Sequence, residues 1–222
     1  MIAGVLLAAG ASSRMGRDKA MVKSGRESFL VRGVRNLWGA CDSVVVVLGA
    51  NAPAIRKKAE AEFEQLVESG GLNQELAAAH KHGSAGLDAH FVVNKRWKRG
   101  MLESARTGLS DALGLGPACV MVLPVDHPKV KQMTVASLAH VVLQAIAACR
   151  PKERAAFSYA LIPRHRGHRG HPIALSPALA AAIVTDSKAA DLSDAIKRNA
   201  RLVGYLDVGD AGVVINRNTP GR

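Results

Sequence analysis

A chain of 222 residues, 48% hydrophobic and 22% charged, can bury a substantial core and has the balance of an ordinary folded protein. Its formal net charge of +12 draws polyanions, although a solubilising surface explains the same number more plainly. Aromatic residues at 4% supply too few faces for a single-strand nucleic-acid surface built on base stacking. Three scattered cysteines, Cys41, Cys119 and Cys149, exclude a disulfide framework and a C-x-x-C metal site, and suit a reducing, cytoplasmic compartment.

Met1 to Ala9 is apolar but lacks a cationic start and is far too short to span a bilayer, so it reads as a buried strand over Ile2–Leu7. A helical pattern follows near Phe29–Trp38, then a strand at Val44–Leu48 and a helix near Ala54–Glu68. Residues 69–87 are polar and Gly-containing, and read as an insertion carrying one short helix at Gln74–His80. Beyond it come a strand at Phe91–Val93, a helix near Met101–Leu113, a strand at Val120–Leu123 and a helix near Thr134–Cys149. The remaining pattern gives strands at Ala156–Ile162 and Val213–Ile215, with helices near Pro177–Ile183 and Leu192–Arg201 between them. Most strands are continuously apolar rather than alternating, as strands covered on both faces are. Alternation of strand and helix therefore predicts an α/β, Rossmann-like single domain over residues 1–222, with a mostly parallel sheet and helices on both faces. Ligands of such sheets sit beyond the carboxyl ends of the strands, so the loops to inspect are 8–19, 49–51, 94–97 and 124–128.

The first loop lies in "LLAAGASSRMGRDKAM", Leu6 to Met21. Gly10 to Gly16 is one residue too long for G-x-x-x-x-G-K-[ST], and Gly10 is followed by Ala11 and Ser12 rather than the x-G-x-x-G of a dinucleotide loop. The shared physics survives both failures: small residues let backbone N–H groups close on phosphate oxygens. Arg14 adds a forked donor and Lys19 a point charge.

Leu7 to Lys19, L-A-A-G-x-S-S-R-M-G-x-x-K, resembles the signature loop of the MobA-like nucleotidyltransferases, closest to the molybdenum cofactor cytidylyltransferases. Further matches run in family order. Asn94 to Ser104 is similar to N-x-x-W-x-x-G-M-x-x-S, Asp126-His127-Pro128 to D-x-P, Gly170-His171-Pro172 to G-H-P, and Asn216 to Pro220 to a closing N-x-N-T-P. The resemblance implies the fold of the nucleotide-diphospho-sugar transferases. It also implies transfer of a nucleotidyl group from an NTP to a phosphate monoester with Mg²⁺ and release of pyrophosphate.

By that resemblance Leu7, Ala8, Ala9, Gly10, Ser13, Met15 and Gly16 line the nucleotide, and Arg14 and Lys19 hold its triphosphate and act in catalysis. Lys19 would oppose charge growing on the bridging oxygen as pyrophosphate leaves. Asp126, between Pro124 and Pro128, is the hard oxygen ligand expected for Mg²⁺; a turn-forming aspartate is the plainer alternative. Asn51 and Asn94 fall where the family reads base or ribose, and asparagine is equally an ordinary turn former. Gly100 and Ser104 bring backbone and hydroxyl to the nucleotide at a helix start. His171, Asn216 and Asn218 fall in the acceptor region. His165, His168 and His171 are evenly spaced, but the glycines around them break any regular helix, so a zinc site is not expected.

The family's closing D-x-D is here Asn216 and Asn218, and its G-D-x-G-A-R is reduced to Asp186-Ser187-Lys188. A second metal carboxylate would have to come from Asp207 or Asp210. Ala9 and Arg17, where the guanylyltransferases carry glycines, favour CTP, with molybdopterin as acceptor and molybdenum hydroxylase apoenzymes as recipients. A sugar or alditol phosphate is the alternative acceptor. A nucleotide-binding chaperone or regulator of molybdenum enzymes without turnover is the alternative class. Neither a specific nucleic acid nor a membrane is expected as a partner.

Overall fold

The apolar run Ile2–Ala8 forms β1 at the centre of the sheet, flanked by β4 (Ser43–Leu48) and β6 (Cys119–Pro124), both parallel to it. A computed structural model of the chain describes residues 1–10, 18–70 and 89–217. β5 (Ala89–Val93) lies parallel outside β4. Beyond β6 one strand of the row runs the other way: β9 (Ile173–Leu175) is antiparallel to β6 and to β7 (Tyr159–His165), so β7 runs with β6, and β10 (Leu202–Asp207) is parallel to β7 at the far edge. The order is β10-β7-β9-β6-β1-β4-β5, with β8 (His168–Arg169) turned back onto the end of β7. A small antiparallel pair, β2 (Lys23–Ser24) and β3 (Glu27–Ser28), stands apart from this sheet.

Helices cover both faces, which is why the central strands are continuously apolar. Leu6 and Ala8 of β1 point into a core shared with α1 (Phe29–Trp38), α2 (Ala52–Glu68) and α4 (Gln132–Ala148). Val5 and Leu7 point into the other core, shared with α3 (Met101–Gly114), α6 (Pro177–Thr185) and α7 (Leu192–Asn199); α5 (Pro151–Arg154) is a single turn. Ser28 caps α1 by accepting from the Val31 N–H, and Ser176 caps α6 ahead of Pro177; each cap contributes about 1 kcal/mol. Gly108 lets α3 lie directly on the sheet, because a Cβ there would fall on Val5 and sit 2.6 Å from Val47 Cγ2.

Two sequence expectations are corrected and a third lies mostly outside the described residues. Val213–Ile215 is not a strand: Asp210 caps a 3-10 turn at Ala211–Val213, and Gly212 is pressed against the Lys129 carbonyl. The last strand is instead β10, whose alternating, partly exposed pattern suits a sheet edge. The strand expected at Ala156–Ile162 starts later, at Tyr159, and runs on through Pro163 to His165. The insertion read at 69–87 begins where α2 ends at Glu68, and its predicted helix at Gln74–His80 lies outside the described residues. Among the described residues no helix is long and apolar enough to cross a membrane.

Candidate active site

The parallel strands β1, β4, β5 and β6 all end on one side of the sheet, and their loops meet there. Gly49 makes the meeting possible, since a Cβ on it would strike the Ala9 carbonyl and lie 2.7 Å from Trp97 Cβ. Leu7, Ala8 and Ala9 are buried beneath this junction, whereas Gly10 is exposed with open space where a side chain would be. Ser13, Arg14, Met15 and Gly16 lie outside the described residues. After Asp18, the 3-10 turn Lys19–Met21 brings Lys19 to the end of β6.

There the Lys19 ammonium stands 2.9 Å from Asp126 Oδ2, with 18% and 14% of the two side chains exposed. The loop carrying Asp126 is held on several sides. The Val125 N–H donates to the Leu7 carbonyl at 3.0 Å, the Asn36 amide of α1 donates to the Pro128 carbonyl, and the Arg217 N–H donates to the Asp126 carbonyl at 2.9 Å. That last bond lays the closing segment, with exposed Asn216, against the acidic loop; Asn218 lies outside the described residues. The G-H-P segment arrives from the other direction. The His171 N–H donates to the Val213 carbonyl, and the His171 ring packs on His127 with centroids 4.9 Å apart.

Among the described residues, three polar atoms in this cluster are buried without a hydrogen-bond partner: Asp126 Oδ1, His127 Nδ1 and His171 Nδ1. His127 Nε2 lies 3.8 Å from Asp126 Oδ1, beyond hydrogen-bond reach. Burial pushes the His127 pKa down against the pull of the neighbouring carboxylate. Burial, reinforced by His127, pushes that of His171 down to about 4. Both rings are therefore neutral at neutral pH. The motifs alone assign His127 no role; the signal for it is a D-H-P and a G-H-P in one chain.

Asn51 and Asn94 separate. Asn51 is left-handed at φ 56° and reaches Asp18 Oδ1 at 3.3 Å, tying the second loop to the exit of the first. Asn94 is 3% exposed, donates to Ser104 Oγ at 3.0 Å and accepts from the Arg96 N–H at 2.8 Å, so its polar groups shape the turn after β5. Gly100 starts α3 at φ 101° and ψ −175°, a conformation closed to other residues.

Neither acid considered as a second metal ligand joins Asp126. Asp210 is buried and accepts from the Lys131 N–H, the Thr134 hydroxyl and the Gly212 N–H, all at 2.8 Å. Asp207 forms a bidentate pair with Arg164 at 3.1 and 2.8 Å. Among the described residues no three His, Cys, Asp or Glu side chains converge as a metal cage. The orphaned Asp126 Oδ1 does fit a hard divalent ion bound by one carboxylate, with substrate phosphates and water completing its shell.

A cation and a carboxylate at the carboxyl end of a parallel sheet stand where proteins of the α/β class bind their ligands. The chain belongs to the MobA-like NTP transferase family, whose model matches residues 4–202. It is 29% identical over 216 residues to a protein of Paenarthrobacter nicotinovorans named nicotine blue oxidoreductase, covering 94% of this chain and 88% of that one. The fold is that of 4-diphosphocytidyl-2C-methyl-D-erythritol synthase from Anaerococcus prevotii (TM-score 0.66, 13% identity, 98% and 90% of the chains). It is shared by Rv0371c of Mycobacterium tuberculosis H37Rv, solved with manganese (TM-score 0.57, 19% identity, 93% and 88%).

Proposed function

We propose that this chain, as one nucleotidyltransferase unit with Mg²⁺, transfers a nucleotidyl group from CTP to molybdopterin and releases pyrophosphate. The observation that carries the reading is the placing of Lys19 against Asp126 with His171 packed beside them, so that nucleotide and acceptor motifs share one end of the sheet. An acceptor phosphate oxygen attacks the α-phosphorus in line, forming the new P–O bond as the bond to the pyrophosphate oxygen breaks. Lys19, with Arg14, opposes the charge growing on the departing oxygen. Asp126 would hold Mg²⁺, which neutralises phosphate charge when bound. Neutral His171 offers a hydrogen bond to the acceptor, and Asn216 an amide on the same rim. Backbone groups at Ala8–Gly10 and the turn shaped by Asn94, Gly100 and Ser104 position base and ribose, with Asn51 holding the loops in register.

The resemblance to cytidylyltransferases at Ala9 and Arg17 supports CTP, and scattered cysteines support a cytoplasmic protein that serves molybdenum hydroxylase apoenzymes. The test is pyrophosphate release with Mg²⁺, molybdopterin and each NTP in turn. Release with CTP alone fits the proposal. Release with a sugar or alditol phosphate but not molybdopterin transfers it to that acceptor. Nucleotide binding without any release selects the non-catalytic chaperone.

A second reading rests on the relative named as an oxidoreductase and on Asn216 standing where a carboxylate would strengthen metal binding. In it, the same rim binds a nucleotide cofactor and a planar oxidant. Oxidation of a reduced nicotinamide in the presence of nicotine blue, without added metal or NTP, distinguishes the two.

A further inference from the structure

Outside the sheet edge the turn after β5 forms one wall of a cleft of about 600 Å³, and the end of α6 forms the other. Neither Lys19 nor Asp126 lines it. Among the described residues its charged lining is Lys95, Arg96, Arg99 and Arg106 against one carboxylate, that of Glu103. Arg106 is a fixed part of the wall: it donates to the Ile183 and Asp186 carbonyls and lies 3.4 Å from Glu103. Arg96 takes the other Glu103 oxygen at 3.2 Å. Lys95 and Arg99 are exposed and make no side-chain hydrogen bond or ion pair among the described residues.

Gathering four cations around one acid in a concave wall opposes itself electrostatically, since a cleft concentrates the field that a convex surface disperses. A solubilising charge needs no such concavity. The volume is that of a small-molecule site, but such sites are usually mostly apolar, and here the walls are charged and hydroxylated. We propose that this cleft is a second anion site, separate from the transfer site, which takes a small phosphorylated molecule carrying two or more negative charges. Lys95 and Arg99 bind it directly, Arg96 swings part of its fork onto it, and Arg106 supplies fixed positive charge behind. Asn94 is common to both sites, because its side chain accepts from the Arg96 N–H on one side and donates to Ser104 on the other. The inference stands whichever reaction the transfer site performs.

The experiment is calorimetric titration of the full chain with inorganic pyrophosphate at 0.15 M salt, where the Debye length is about 8 Å and distant charges are screened. The wild type is expected to show two sites. The double variant K95A/R99A should keep one site and weaken the other at least ~10-fold, as loss of two charge-assisted contacts requires. K19A should weaken the remaining one, and R99K should restore most of the first. Both altered side chains of the double variant are exposed, so its melting temperature should match the wild type. A single wild-type site abolished by K19A overturns the proposal. So does a double variant that weakens both sites equally, which is a long-range charge effect rather than a bound anion in the cleft.

Discussion

Replacing Lys19 by alanine separates what the ion pair does for stability from what it does for chemistry. At 2.9 Å and mostly buried, the ammonium and the Asp126 carboxylate attract strongly, but each has given up most of its water to do so. The net loss is that of a partly buried pair, about 1–2 kcal/mol. Among the described residues Asp126 Oδ1 already lacks a partner, so the variant removes the hydrogen bond at Oδ2 and leaves His127 Nε2 at 3.8 Å, beyond hydrogen-bond reach. For a chain of this size the melting temperature should fall by about 2–4 °C per kcal/mol. The effect on the proposed transfer is different in kind, because Lys19 acts on charge that appears only as pyrophosphate leaves. Turnover should fall ~100-fold, comparable to removing one preorganised donor from a site of developing charge. The assay is pyrophosphate release at saturating nucleotide, beside thermal melting of the same samples. An unchanged rate in a variant that still melts cooperatively would show that the ammonium is not aimed at the reacting phosphates.

Asp126→Ala should abolish metal-dependent pyrophosphate release and leave a folded protein; near-normal release removes Asp126 from the metal site. Gly108→Ala drives a Cβ into Val5 and Val47 and should cost about 1–3 kcal/mol, read as a lower urea midpoint with unchanged slope. Asp186 accepts from Asn199 at 2.7 Å, the Lys188 N–H at 2.9 Å and Arg198 at 3.1 Å, and the Asn199 bond leads in lowering its pKa to about 2. A depressed carboxylate pKa stabilises the fold above the unfolded-state value and loses that contribution as pH falls. Asp186→Asn should therefore melt below the wild type at pH 7, and the two curves should converge between pH 4 and pH 2; a constant gap would refute the linkage.

The alternation of apolar runs and helical patterns was legible because it follows from burial on both faces. The helix near Phe29–Trp38 was legible from its apolar spacing, and Ser28 caps it in the structure. What escaped depends on contacts between distant segments. β10 alternates, contains Gly204, and holds its place by pairing with β7, where a Cβ on Gly204 would strike the Tyr159 hydroxyl. β9 is three residues long, too short for any periodicity to register. The apolar Val213–Ile215 looked like a strand, but its neighbourhood is decided by Asp210 and the Lys129 carbonyl. Lys19 and Asp126 were each legible from their motifs, whereas their meeting across 107 residues follows only from β1 lying beside β6.

The reversed strand β9 explains why G-H-P belongs to the same site as D-H-P. Val122 of β6 pairs with Ile173 of β9, and the strands are antiparallel, so each step up β6 is a step back along β9. Two residues past Val122 is Pro124, and two residues before Ile173 is His171. The end of β6 that presents Asp126 is therefore the end at which the chain enters β9. Had β9 been parallel, His171 would lie at the opposite end of the sheet, about two residues of strand rise beyond the base of the core rather than against His127. A strand as short as β9 suffices to bring a segment from the second half of the chain to the level of the acidic loop. The hydrogen bond from the His171 N–H to the Val213 carbonyl then ties the closing segment to the same rim, which places Asn216 there without help from its own side chain. The meeting of G-H-P with D-H-P is thus written in strand register, and register is a property that the order of motifs along a sequence does not carry.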